Sequence, residues 1–371
     1  MGISRFFIKS FGLKQEEGIK FSLLFFHSFF LGLFIAFYFV PANSVFIQYH
    51  GSERLPYAYI ISGIAGYLIS SIYSALQKKV NNKSLFLGAV VFMFIVTLGS
   101  RMALPFVSPE ILSFFVFIWA WPFISLVGIV SGGLALQFLN LIQVKRLYGL
   151  MNMGSVIASI LGYLAIPVLM SFLGHSYDLL YIGDFGLIAA VFILFLLYKT
   201  LVGSSQKEVV KQQATQVKTK FSELVKDKYF LLIFSSATLS MIAIYVVDFG
   251  FLSSVNVQKN LFPTPESVSS YLAFVYGGLK IGELLISYFS SRILSKHGVK
   301  LGLTILPVSV TLIVLISTIV GLTAGITTIV FLALMTLNKS IERIFRRGLD
   351  DPAFNILYQP LPAGQKMAVQ T

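Results

Sequence analysis

Three charged residues stand inside long apolar runs of this sequence: Asp248, Lys280 and Glu283. A charge at the centre of a bilayer costs roughly 3 kcal/mol or more, so each is expected to have a partner or a task. Lys280 and Glu283 are three residues apart, which places them on one face of a helix within reach of each other. Their chemistry offers two readings. They neutralise each other in a packed contact, or they form a substrate or proton site whose lysine attracts an anion and whose glutamate titrates. Asn43, Gln137 and Asn140 could line a polar cavity, or make interhelical hydrogen bonds worth about 1 kcal/mol or less. His27 is either a proton site or a hydrogen-bonded core histidine. With no cysteine in the chain, thiolate metal sites and cysteine nucleophiles are excluded. No phosphate-binding glycine loop, metal-ligand cluster or nucleophile triad is present, so neither an enzyme nor a cofactor is expected.

The elements that must hold these residues follow from composition. Of 371 residues 56% are apolar and only 12% charged, about half the charged share of a soluble domain. A soluble fold could not hide that much apolar surface. The runs are long and continuous rather than alternating, which excludes a porin-type barrel. A spanning helix needs about twenty mostly apolar residues. Such runs fall at 20–42, 57–77, 84–104, 111–136, 149–173, 179–200, 229–253, 267–291, 301–320 and 324–345. The fold class expected is therefore an all-α polytopic membrane protein.

The net charge of +13 raises the question of nucleic-acid binding, and its distribution answers it. One side of the expected topology carries Arg5, Lys9 and Lys14; Lys78, Lys79 and Lys83; Lys145 and Arg146; the lysines of 199–228; Arg292, Lys296 and Lys300; and Lys339, Arg343, Arg346, Arg347 and Lys366. The other side holds only Arg54, Arg101 and Lys259. This is the positive-inside pattern, with both ends in the cytoplasm and the chain in an inner membrane. No nucleic-acid partner is expected; the bilayer is. Residues 3–14 carry Ile3, Phe7 and Phe11 on one stripe, as suits a helix lying on the inner surface.

The polar stretch 201–228 divides the runs into six and four: a six-span half over 1–200, a cytoplasmic linker with a helix expected at 221–228, a four-span half over 229–347, and a tail over 348–371. The halves resemble each other. GIAGYLISSIYSALQKKVNNKSLFLG from Gly63 and GGLKIGELLISYFSSRILSKHGVKLGL from Gly277 each show a glycine pair, an apolar helix, a basic turn and a new helix. Parallel halves joined by a cytoplasmic linker are the plan of major-facilitator transporters. That plan has twelve spans, so spans 11 and 12 are expected to be missing after Thr371. In it the basic turns Lys78, Lys79, Lys83 and Arg292, Lys296, Lys300 make gating contacts. Small residues four apart, at Gly128/Gly132, Gly154/Ala158/Gly162 and Gly278/Gly282, suit close helix contact. Pro41, Pro122, Pro167 and Pro307 are expected to kink or end helices.

Four segments carry a more specific likeness. LIQVKRLYGLMNMGSVIASILG (141–162), through Lys145, Arg146 and Tyr148, resembles the start of the fifth span in the ATP/ADP (nucleotide) translocases of plastids and intracellular bacteria. LFPTPESVSSYLAF (261–274) is similar to the entry of their eighth span, and SKHGVKLGLTILPV (295–308) to their ninth. GLDDPAFNILYQPLP (348–362) resembles their segment after span ten through Asp351, Pro352, Tyr358, Pro360 and Leu361. The chain departs from the family in charge. The end of the first span, AFYFVPANSVFIQ, has none; Gln137 stands where the family has an acid; and Leu252 replaces the lysine that follows the acid matched by Asp248. The resemblance implies a divergent, major-facilitator-like secondary transporter of a nucleotide or other small organic anion, working by exchange or ion coupling. Its site would lie between the halves near Lys280, Glu283, Gln137 and Asn43. The alternative is a transporter-like module that anchors or senses for a C-terminal soluble domain or partner protein.

Depth sets Asp248 apart. With span 7 ending at 253 and span 8 starting at 267, Asp248 lies near the outer end and Lys280 about 12 Å deeper along the axis, too far for contact. Asp248 therefore reads as a gate or water-facing acid in the outer half, or as a charge reaching lipid headgroups. Asp184 is expected at the interface and Arg101 to snorkel to it.

Overall fold

The computed structural model describes residues 14, 17–77, 79–201 and 228–357. The N-terminal segment 3–14 (Lys14 apart), Lys78, the linker, and Tyr358, Pro360 and Leu361 lie outside them.

In chain order the helices are α1 (Gly18–His50), α2 (Leu55–Gln77), α3 (Asn82–Ala103), α4 (Pro109–Phe138), α5 (Leu141–Met170), α6 (Leu179–Leu201), α7 (Lys228–Val257), α8 (Pro265–Thr323), α9 (Ile329–Phe345) and α10 (Asp351–Leu357). A single 3-10 turn, Ser176–Asp178, precedes α6, and a π turn, Arg346–Asp350, joins α9 to α10. Among the described residues nine helical stretches are long and apolar enough to cross a membrane. The tenth expected run appears as α9, of 17 residues.

Local sequence sets the helix ends. The Asn81 side chain accepts from Ser84 N at 2.8 Å and starts α3. Asn140 and Gln143 form a reciprocal capping box that starts α5, so Asn140 is a cap and not part of a cavity wall. The four prolines expected to kink or end helices all lie inside them, and none ends one. The basic turn expected between spans 8 and 9 is shorter still. Only Gly298, with φ 80°, leaves helical geometry within α8, a conformation that glycine adopts without steric cost.

The chain forms two compact units, Met1–Glu208 with Asn260–Gly277, and Val209–Lys259 with Gly278–Thr371. In the first, α1 is the central helix and packs against α4, α5 and α6. Its contact with α5 depends on absent side chains: a Cβ at Gly154 would stand 2.5 Å from the Phe25 carbonyl oxygen, and one at Gly32 would meet the Ser155 backbone. Gly128 and Gly278, by contrast, face nothing within 4 Å, so not every glycine pair marks a contact. Aromatic rings fill the centre, with Tyr38 and Phe123 at 5.0 Å between centroids. The start of α8 joins this unit through hydroxyls: Ser269 Oγ lies 2.6 Å from Ser44 Oγ and donates to Ser176 Oγ at 3.0 Å. In the second unit α9 packs on α7.

Candidate functional site

The second half of α9 and the π turn that follows it carry a run of charges. Lys339, Glu342, Arg343, Arg346 and Arg347 recur at spacings of three and four, which lines them along one side of a helix. Most of that stripe is withdrawn from solvent and divides between two sets of partners.

The first set is sealed. Lys339 Nζ lies 2.7 Å from Asp248 Oδ1 and 3.7 Å from Glu342 Oε2. Arg346 Nε donates to Glu342 Oε1 at 2.6 Å, and its Nη2 donates to the Ser240 carbonyl at 3.2 Å. Side-chain exposure is 2% for Asp248, 4% for Lys339, 2% for Glu342 and 10% for Arg346. Within these four side chains two cations meet two anions, and Asp350, also buried, adds its carboxyl near Arg346 and Glu342. This corrects two expectations. Asp248 is neither water-facing nor near headgroups: α7 runs on to Val257, and Asp248 sits about 13 Å from that end. Lys339 and Arg346 are not topological charges of a cytoplasmic tail but members of buried ion pairs, and Arg343 is a half-buried partner of Glu283.

The second set is more open. Glu283 receives Lys280 Nζ on Oε2 at 2.7 Å and Arg343 Nε on Oε1 at 2.9 Å. The intrahelical pair expected from spacing is there, joined by an arginine sixty residues further on. Ile344 fills the space beside Gly282 and Ile286 that beside Gly348, so the side-chain packing of α8 against α9 and the π turn brings Arg343 to Glu283. Two cations share one carboxylate, leaving one positive charge in excess within the triad. The side chains of Lys280 and Arg343 are 20% and 23% exposed, against 9% for Glu283. The arrangement can accept an anion on its cationic side. Beyond it, Arg347 and Asp351 pair at 3.3 Å on an exposed surface.

The remaining expected residues belong to the first unit or to surfaces. Asn43 is buried and donates to the Phe39 carbonyl one turn back at 2.7 Å. Gln137 accepts from the Tyr198 hydroxyl at 2.8 Å. Lys79 is exposed, and Lys83 lies over the rings of Phe195 and Tyr198 at 4.8 and 5.5 Å. Arg292 lies 6.0 Å from the Tyr288 ring, and Lys296 and Lys300 are exposed. Arg101 pairs with Asp178 at 2.6 Å and stacks on Tyr181. Asp184 is buried near the start of α6, and His27 is buried with no partner on Nε2 among the described residues. Just before the N-terminus of α1, Glu17 accepts from Lys14 N, Gln143 and Arg146. Burial raises the Glu17 pKa, but these donors outweigh it and hold the carboxyl below its ordinary value. Among the described residues no group of three or more His, Asp or Glu side chains is placed to hold a metal.

No protein-family model matches the sequence, and no curated protein matches it. The fold is similar to that of the nucleoside transporter NupG, in the crystal structure of a point mutant, with a TM-score of 0.66 at 15% identity over 94% of this chain and 85% of that one. It is similar also to the D-xylose-proton symporter, with a TM-score of 0.62 at 15% identity over the same shares. The chain is thus an all-α polytopic membrane protein of the major-facilitator-like fold. At such identity the likeness carries the fold alone.

Proposed function

We propose that the chain is a secondary transporter of a small organic anion, nucleotide-like in its charge, moved by exchange or ion coupling through alternating access. The observation that carries the reading is the triad Lys280, Glu283 and Arg343, a carboxylate shared by two cations and partly open, in a fold of transporter type. A satisfied structural pair needs one cation; the second leaves charge to offer an anion. The translocase-like segments support a nucleotide over a sugar. The basic asymmetry of the loops supports an inner membrane with both ends cytoplasmic. In this reading 1–200 and 229–347 are the two halves of the transporter. Lys79, Lys83, Arg292, Lys296 and Lys300 serve as cytoplasmic gating charges, and Asn43 and Gln137 supply polar surface in the first half.

Uptake into proteoliposomes tests it, with labelled ADP, UMP, a dicarboxylate and a pentose as probes. One anionic probe is expected to enter. Lys280→Ala should lower its uptake at least about tenfold, since a charged hydrogen bond contributes about 1.5–3 kcal/mol. Unchanged uptake at matched protein levels removes Lys280 from the site. Entry of no probe at all favours a non-transporting module.

A further inference from the structure

The first unit contains an acid that the anion site does not use. Asp184, five residues into α6, is 3% exposed, and neither of its carboxylate oxygens has a hydrogen-bond partner among the described residues. Every other buried acid discussed above receives at least one cation or backbone donor. The elements packed on α6 are α1, α3, the turn Ser176–Asp178 and, through Tyr198, α4; Gln137 of α4 and Lys83 of α3 meet α6 only at Phe195 and Tyr198, about 16 Å or more along it from Asp184. From α1 comes Tyr38, the titratable group that feels the Asp184 charge, with its own hydroxyl donated to the Val116 carbonyl at 2.9 Å. His27 lies on the same helix but about 16 Å further along it. From α3 comes Arg101, committed to Asp178 at 2.6 Å and to the Tyr181 ring on α6 itself. The turn brings Asp178 and Tyr177, and Tyr177 donates to the Pro109 carbonyl at 3.3 Å. None of these hydrogen-bonds to Asp184.

An ionised carboxylate buried with neither a protein donor nor a cation is not a stable occupant of a low-dielectric interior. As the neutral acid, Asp184 fits the same place. We propose that Asp184 is a proton-binding site that holds its proton while α1, α3 and α6 are packed as here, and releases it when that packing opens to water. On release the O–H bond breaks, the electron pair stays on the carboxylate and the proton passes to water as hydronium. The aqueous side is near: Arg101 and Asp178, partly exposed, lie about 9 Å along the axis from Asp184. If the chain is a transporter, as proposed above, Asp184 is the acid through which a proton drives it; the binding of the proton does not depend on that reading.

The full chain in lipid vesicles is treated with N,N′-dicyclohexylcarbodiimide, which adds a protonated carboxyl across its C=N bond, oxygen to carbon and proton to nitrogen. The adduct at Asp184 is read by mass spectrometry, with Asp184→Asn as the blank. At about pH 6 an adduct is expected, falling about tenfold or more by about pH 9 as the group meets water and ionises. No adduct at the acidic pH, where the unfolded chain still reacts, overturns the proposal. Equal labelling at both pH values also overturns it, because an acid that is only structural and never meets water would keep its proton throughout.

Discussion

Replacing Lys339 by methionine separates the sealed charges from the open ones. In the sealed set the lysine is 2.7 Å from Asp248 and 3.7 Å from Glu342, and Arg346 is the one other cation named there. Lys339→Met therefore leaves Asp248, Glu342 and Arg346 with one negative charge in excess, all at 10% side-chain exposure or less. Removing one partner of a buried pair costs about 3–5 kcal/mol. The double variant Lys339→Met/Asp248→Asn restores neutrality while Glu342 keeps Arg346 at 2.6 Å. It should recover about half of that cost or more. Lys280→Ala is different in kind: Glu283 keeps Arg343 at 2.9 Å, charge remains balanced, and the side chains are partly exposed, so about 1 kcal/mol is expected. Equilibrium unfolding of the purified protein in mixed detergent micelles measures all three. The reasoning fails if Lys339→Met is no more destabilising than Lys280→Ala, or if the double variant is less stable than Lys339→Met alone. Uptake adds a second axis: the double variant, once folded, should transport, whereas Lys280→Ala should fold and not transport.

Gly154→Val should destabilise the first unit by at least about 1–3 kcal/mol, the range for overpacking, because the new Cβ would stand 2.5 Å from the backbone oxygen of Phe25. Unfolding curves check this, and Gly128→Ala, which meets nothing within 4 Å, serves as the contrast. Glu17 gives a pH prediction of definite sign. Its carboxyl is held below its ordinary value, so its contribution is present above the ordinary carboxylate range and is lost as pH falls through the lowered folded value. Glu17→Gln should therefore be less stable than the parent at neutral pH and converge with it in strong acid. A gap independent of pH would contradict the assignment.

Composition alone determined the class of this protein. Twelve per cent charge and long apolar runs leave little but spanning helices, since a backbone inside a bilayer must satisfy its own hydrogen bonds. The pairing of Lys280 with Glu283 was legible for a related reason: within a helix, three residues is a fixed distance. Which charges meet across helices was not. Asp248 with Lys339 and Glu283 with Arg343 are each separated by many residues and brought together by packing. Depth counted along separate helices misled, because α7 extends to Val257 and carries Asp248 deeper than its apolar run implies. The basic residues near the end of span ten matched the positive-inside pattern so well that their spacing of three and four passed unread. That spacing was the available sign that they form one helical stripe. Asp184 shows the same limit from the other side. Its position in the sequence places it near a helix end, and only the helices around it decide that it is buried with no hydrogen-bond partner among the described residues. Sequence determines what each helix must be in order to cross a membrane. Tertiary structure decides which of its charges are neutralised, which remain open to a ligand and which must keep a proton, because electrostatic energy depends on distances between helices that spacing along one helix does not contain.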